Sequence, residues 1–264
     1  RFHKTEPFEM RTGQPKVSAH AKGNGAGSPG KAVKPVAQTF TDAFSDELIR
    51  IAQTNRRVTA ITAAMPEGTG LDRFARAFPE RFLDVGMAEQ HAVGLAAGLA
   101  RGGARPVVAI YSTFLQRAYD QVMHEMCLQE LPVILAIDRA SLVGEDGPTH
   151  HGVFDLAYLR VLPNIRLLAP RDPEELRVML RWALEQDKPV AIRYARGGVM
   201  YGEPLGKGPK IALGKSELIR PGADVAILAL GNLVYAALAA TERLEAEGIQ
   251  ATVVNARFAK PVDE

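Results

Sequence analysis

Four short apolar runs in this chain end in residues that can do chemistry. Leu83-Asp84-Val85 leads into Gly86-Met87-Ala88-Glu89, and Val107-Val108-Ala109-Ile110 into Tyr111-Ser112-Thr113-Phe114. Ile134-Leu135-Ala136-Ile137 leads into Asp138-Arg139, and Ala191-Ile192 into Arg193-Tyr194-Ala195-Arg196. In an open parallel sheet, ligands bind beyond the carboxyl ends of the strands, so these four exits would share one rim. That rim would collect a carboxylate, two aromatic rings and two or three guanidinium groups, the parts needed to hold a neutral heteroaromatic ring and a phosphorylated substrate. Two guanidinium forks from separate strands, Arg139 and Arg196, suit bidentate capture of a phosphate monoester. A single one would more often pair with a surface carboxylate. Position alone leaves Glu89 as a first-turn acid that complements the helix dipole, and Tyr111 and Phe114 as core aromatics.

His150 and His151 lie in a Gly- and Pro-bearing loop, residues 144–152, where an imidazole can reach a cleft and exchange protons near neutral pH. No carboxylate or histidine follows at a recognisable ligand spacing, so no metal residues are assigned. The one cysteine, Cys127, sits in a helical pattern and supports neither a disulfide nor a thiolate metal site. That fits a reducing, cytoplasmic setting.

The elements that must position these residues alternate. Strand patterns fall at Val58–Ala63, Phe82–Val85, Pro106–Tyr111, Val133–Asp138, Ile165–Leu168 and Val190–Tyr194, with helical patterns at Met87–Ala100, Leu115–Gln129 and Asp172–Gln186. The last begins Asp-Pro-Glu-Glu, an N-cap followed by Pro at the first helical position. Apolar strands alternating with helices predict an α/β fold, a parallel sheet with helices on both faces. A further helical pattern opens at Phe40, preceded by a Gly-, Pro- and Lys-rich stretch, residues 13–35, that reads as a linker. Beyond a second Gly- and Pro-bearing stretch come runs at Ile211–Ile219, Asp224–Leu230 and Thr252–Asn255 and a helix at Leu233–Glu247, read as about two strands and one helix of a second α/β domain. The expected division is 1–38 connector and linker, 39–206 first domain, 207–264 an incomplete second domain. In Ala92–Ala100, Gly94 and Gly98 stand four apart, a spacing that permits close packing against another element, across a dimer interface included.

With 264 residues, 47% of them apolar, the chain can bury a sizeable core. Its 32 basic and 30 acidic residues are mixed along the chain, which argues against a nucleic-acid binder. No apolar run is long enough to span a membrane, and the first residues do not resemble a signal peptide.

Four motifs together resemble a known family. Asp84-Val-Gly-Met-Ala-Glu-Gln-His91, Tyr111-Ser-Thr-Phe-Leu-Gln-Arg-Ala-Tyr-Asp120, Ile137-Asp-Arg139 and Asp146-Gly-Pro-Thr-His-His-Gly-Val-Phe-Asp155 are similar to the pyrimidine-binding domain of the 1-deoxy-D-xylulose-5-phosphate synthases, transketolase-like thiamine diphosphate enzymes. The resemblance runs from about Phe40 to Gly198. Phe2-His3, Pro7-Phe8 and Thr12-Gly13 resemble that family's connector, and residues 224–264 the start of its C-terminal domain.

The resemblance implies decarboxylative condensation of pyruvate with D-glyceraldehyde 3-phosphate, a step that feeds isoprenoid, thiamine and pyridoxal synthesis. It implies thiamine diphosphate as cofactor and Mg2+ beside it. The metal's ligands would come from a diphosphate-binding domain whose Gly-Asp-Gly and Asn motif occurs nowhere in this sequence, so the chain alone is expected to be inactive. On this basis Glu89 is the catalytic acid at the pyrimidine ring nitrogen, Phe114 stacks on that ring, and Arg117 lines the same cavity. Tyr111, Arg139 and Arg196 take the substrate phosphate. His150 faces the substrate with Asp146 nearby as an orienting acceptor, and His3 approaches the reacting carbon. His91 is assigned a structural role. Ala195 stands where the family commonly has Pro. A homodimer and small-molecule substrates are expected, with neither nucleic acid nor membrane as partner. A transketolase, the β subunit of a 2-oxo-acid dehydrogenase, or an inactive dimerisation module remain as alternatives.

Overall fold

The first helix starts where its sequence places a cap: the Thr39 hydroxyl accepts the Asp42 N–H at 3.0 Å and opens α1 (Phe40–Thr54). The structure, a computed structural model, describes residues 38–199, 205, 206, 208 and 210–264. The expected connector and linker, His3 included, lies outside the described residues but for Gln38.

After α1 the chain forms β1 (Val58–Thr62), α2 (Leu71–Ala77), β2 (Phe82–Asp84), α3 (Glu89–Arg101) and β3 (Arg105–Tyr111). Next come α4 (Ser112–Leu115), α5 (Tyr119–Gln121), β4 (Ile134–Asp138), α6 (Asp155–Arg160), β5 (Arg166–Leu168), α7 (Pro173–Leu184) and β6 (Val190–Arg193). Beyond these lie β7 (Glu217–Arg220), β8 (Val225–Ala229), α8 (Leu233–Ala246), β9 (Ala251–Asn255) and β10 (Phe258–Lys260).

Strands in the order β10-β5-β6-β4-β3-β1-β2 make a seven-stranded sheet, with every pairing parallel except β10 with β5. The chain runs outward from β1 to β2 and then returns to β3 on the other side of β1. The carboxyl ends of β1 and β3 therefore flank a switch point, where a crevice is expected. The inner strands β1, β3, β4, β5 and β6 are buried on both faces because a separate apolar layer covers each. One holds α3 and the α4–α5 segment, with Val93, Leu115, Val122 and Met126 against Ile110 and Leu135. The other holds α1, α2 and α7, with Phe44, Leu48, Phe74 and Leu180 against Val107 and Ile134.

Several expectations change. The helix expected over Leu115–Gln129 is a succession of α4, a 3-10 turn (Gln116–Ala118), α5 and a π-helical turn (Val122–Cys127). These changes of pitch let Leu115, Ala118, Val122, Met126 and Cys127 all reach the sheet. Where about two strands were expected beyond residue 207 the second sheet has three, β7 forming at the end of the run Ile211–Ile219. The short helices α2 and α6 and strand β10 gave no periodic signal long enough to read. A Cβ placed on Gly94 or Gly98 would meet nothing within 4 Å, so no described element of this chain packs against those glycines.

The three-stranded sheet β7-β9-β8 carries α8, with Ala229, Val234, Ala237 and Val253 in its core. A buried ionic cluster joins it to the larger sheet. Arg257 donates from Nε to Glu175 at 2.7 Å and from Nη2 to Glu217 at 2.8 Å. Arg171 pairs with Asp172, Glu175 and Glu217, and the Tyr235 hydroxyl donates to Asp172 at 2.8 Å. Asp172 is also the N-cap of α7, as its sequence predicts, accepting the Glu175 N–H at 2.8 Å. No helix among the described residues is long and apolar enough to cross a membrane.

Candidate active site

The turns that follow β1, β2, β3, β4 and β6 lie at the carboxyl ends of the parallel strands, around the switch point where a crevice is expected. After β2, the Asp84 carboxylate accepts the backbone N–H of Ala64 at 2.7 Å and that of Gly86 at 3.0 Å, tying the exit of β1 to the turn that leads into α3. Gly86 takes φ 70°, and α3 then starts at Glu89 rather than at Met87. Glu89 is 3% exposed, and its Oε2 is buried without a hydrogen-bond partner. An acid in the first turn needs no such burial to complement a helix dipole. The unmet acceptor therefore points to a ligand. His91, two residues on, is exposed.

Tyr111 closes β3. Its ring lies under the Arg139 guanidinium, 3.8 Å from Cζ to the ring centroid, and stacks on Phe114 at 5.9 Å. The edge of His150 meets Phe114 at 5.3 Å. Burial pushes the Tyr111 phenol up to about 12, so it stays protonated as a donor. The turn after β1 comes close: a Cβ on Gly68 would lie 1.7 Å from the Tyr111 hydroxyl.

Arg139 donates from Nη1 to the Gly68 carbonyl at 2.9 Å. Asp146 lies 3.5 Å from Arg139 and 3.4 Å from Arg196, so one carboxylate draws both guanidinium groups together. Arg196 also donates to the Val143 carbonyl at 2.9 Å. Arg193 takes no part in the rim, since its Nε donates to buried Asp155 at 2.6 Å.

The loop bearing the histidines is pinned from below. Ser141 and Gly152 exchange backbone hydrogen bonds at 2.7 and 2.9 Å, and a Cβ on Gly152 would lie 2.4 Å from the Ser112 side chain. His150 Nδ1 lies 3.0 Å from the Thr149 hydroxyl, while His151 Nδ1 accepts the Val143 N–H at 3.2 Å. His151 is thus used within its own loop, and His150 faces the aromatic pair.

The structure therefore joins Tyr111, Phe114, Arg139, Asp146, His150 and Arg196 in one chain of contacts, while Glu89 stands at the same carboxyl edge of the sheet on the turn after β2, with β1 between it and β3. Arg117 is exposed in the 3-10 turn, and no hydrogen bond or ion pair among the described residues ties it to the cluster. Gly68, Asp84 and Asp138 belong to the site's framework and were not singled out from the sequence. Asp84 and Asp138 had a signal in their place at strand exits within the quoted motifs, and Gly68, six residues beyond β1, had none. Among the described residues no group of three or more His, Cys, Asp or Glu side chains is arranged to hold a metal ion.

Comparison with known proteins accounts for this arrangement. The family described as "Transketolase, pyrimidine binding domain" matches residues 36–200, and "Transketolase, C-terminal domain" matches residues 214–264. A protein of Heliobacterium modesticaldum named 1-deoxy-D-xylulose-5-phosphate synthase is 53% identical over 100% of this chain and 38% of its own length. One of the same name from Thermomicrobium roseum is 58% identical over 87% of this chain and 37% of its own length. The chain thus spans less than two fifths of these relatives. Among solved structures, a chain described as a split gene transketolase, inactive β4 tetramer, superposes with TM-score 0.78 at 34% identity, covering 86% of this chain and 74% of that one. A Pichia stipitis transketolase shares the fold at TM-score 0.75 and 23% identity, over 85% of this chain and 35% of its own. Two matching domain families, with a mostly parallel sheet that has its switch point between β1 and β3 and a buried acid at the start of α3, place this chain in the transketolase family.

Proposed function

We propose that this chain supplies the pyrimidine-binding half of the active site in a 1-deoxy-D-xylulose-5-phosphate synthase. The complete enzyme would join two carbons of pyruvate to D-glyceraldehyde 3-phosphate with loss of CO2, feeding isoprenoid, thiamine and pyridoxal synthesis. The observation that carries this reading is the buried, unpartnered Oε2 of Glu89, at the same carboxyl edge of the sheet where Arg139 and Arg196 share Asp146.

The residues present fit the aminopyrimidine end of thiamine diphosphate: an unmet acid for a ring nitrogen and the half-buried Phe114 as an apolar platform. When bound, that cofactor supplies a carbon nucleophile that also accepts the electrons released by decarboxylation. Glu89 holds and shares a proton at the ring nitrogen, shielded from water by its burial. Arg139 and Arg196 orient the substrate phosphate, and the neutral Tyr111 hydroxyl donates beside them. Asp146 keeps the two guanidinium groups together before the anion arrives. His150, against Phe114, is placed to exchange a proton near the reacting group. Arg117 and His3 enter this reading through the resemblance alone.

Mg2+ is assigned to the whole enzyme, with ligands outside this chain. Residues 39–206 form the pyrimidine-binding domain and 207–264 part of the C-terminal domain. The 34% identical neighbour is described as an inactive β4 tetramer, which supports self-association of this stretch and inactivity in isolation. The single buried Cys127 suits the cytoplasm.

The test is to give the complete enzyme pyruvate and D-glyceraldehyde 3-phosphate. Release of CO2 together with a five-carbon phosphorylated product is expected. Activity on a ketose donor without CO2 release would reassign it as a transketolase.

A further inference from the structure

Asp138, the last residue of β4, is fully buried at the floor of the rim. Its two oxygens are both in use. Oδ1 accepts the backbone N–H of Arg139 at 2.6 Å, and Oδ2 accepts the Thr41 hydroxyl at 2.8 Å. Oδ2 also lies 3.5 Å from Arg139 Nη1. The same carboxylate thus holds the backbone and the side chain of one arginine.

Arg139 needs that grip. Its backbone stands at φ 57°, a conformation that bulky residues adopt only where their surroundings impose it. The bond from its N–H to Asp138 supplies the constraint at the exit of β4. The guanidinium is fixed on three sides: Nη1 by the Gly68 carbonyl and Asp138, and its face by the Tyr111 ring. The Nε is buried, makes no hydrogen bond and faces Asp146 Oδ2 at 3.5 Å, so hydrogen bonds within the protein do not saturate the fork. A buried carboxylate, for its part, requires a counter-charge, and Arg139 is the cation in contact with it.

We propose that Asp138 is the positioning residue of the phosphate site: its carboxylate locks the backbone and one guanidinium nitrogen of Arg139, leaving the rest of the fork presented to the substrate's phosphate. This rests on the reading of Arg139 as a phosphate ligand. The anchor reaches back to α1 through Thr41, so helix and strand exit are fastened at one point.

The experiment uses the complete enzyme and compares two acceptors, D-glyceraldehyde 3-phosphate and unphosphorylated D-glyceraldehyde. Asp138→Asn keeps the size of the side chain and one of its two oxygen acceptors but removes the charge. Loss of one charge-assisted contact should raise KM for the phosphorylated aldehyde roughly tenfold. The KM for pyruvate, kcat and the rate with D-glyceraldehyde should stay within about twofold, because no phosphate is being held there. Arg139→Ala should lose at least as much, and the double variant no more than Arg139→Ala alone. Equal losses with both aldehydes, or additive losses in the double variant, would overturn the proposal and leave Asp138 a structural residue. Should Arg139→Ala itself keep the preference for the phosphorylated aldehyde, the phosphate-site reading fails first and takes this proposal with it. If Asp138→Asn does not fold, Thr41→Val loosens the same carboxylate from its far side. A shift of about two- to threefold in the same KM is then expected, and no change at all would refute the proposal.

Discussion

Replacing Gly68 by alanine sets two physical effects of opposite sign against each other. Gly68 does not occupy the left-handed region, so alanine fits its backbone, and stiffening the unfolded chain would by itself stabilise the protein by about 0.4–1 kcal/mol. The new methyl, however, would stand 1.7 Å from the Tyr111 hydroxyl oxygen and 2.8 Å from Cζ. Restoring ordinary contact requires a displacement on the order of 1.5 Å. The ring cannot make that move freely, because the Arg139 guanidinium and Phe114 lie against it. Overpacking of this kind costs about 1–3 kcal/mol, which outweighs the gain. We expect net destabilisation of about 1–2 kcal/mol in urea or thermal unfolding of the complete enzyme. KM for the phosphorylated aldehyde should rise with it, since Tyr111 carries Arg139. Tyr111→Phe in the Gly68→Ala background deletes the nearest atom and should recover part of the lost stability. A Gly68→Ala protein that is more stable than the parent, with KM unchanged, would show that the Tyr111 hydroxyl does not fill that space.

Two further perturbations address the framework. Arg257→Met leaves three carboxylates, Asp172, Glu175 and Glu217, around the single guanidinium of Arg171, and should destabilise the protein by about 3–5 kcal/mol in a urea titration. For Asp138, burial raises the carboxyl from the ordinary 3.8 to about 6 despite the Arg139 charge. The folded state then holds this proton more tightly than the unfolded chain. Its contribution is complete below about pH 4 and is lost as pH rises through about 6, an amount of about 3 kcal/mol. Asp138→Asn should flatten that slope in unfolding free energy measured from pH 4 to 7.

The sheet and its rim were legible because the relevant signals are local. Fully buried parallel strands read as continuous apolar runs, and their exits lie within a few residues of where a run stops, so the positions of Tyr111, Arg139 and Arg196 at strand exits were legible in the sequence. Asp172 announced itself as a cap by the Pro and two acids after it. What stayed hidden depends on contacts between distant segments. Gly68 matters because of a hydroxyl 43 positions away in the sequence, and Asp138 because of Thr41, 97 positions away. β10 is three residues long and pairs across an edge, so it leaves no periodic trace. The broken pitch between Ser112 and Cys127 is set by the sheet beneath it. Arg193 shows the opposite failure: it sits at a strand exit, yet buried Asp155 turns it away from the rim.

The account depends most on Glu89 acting on the cofactor's pyrimidine nitrogen. The direct measurement is the rate at which the acidic C–H of bound thiamine diphosphate exchanges for deuterium in the complete enzyme, in the parent and in Glu89→Gln. The variant keeps the shape of the side chain but cannot pass a proton, so exchange should slow by about 10²–10⁴-fold while the cofactor remains bound. Exchange at the parental rate with the cofactor in place would contradict the account.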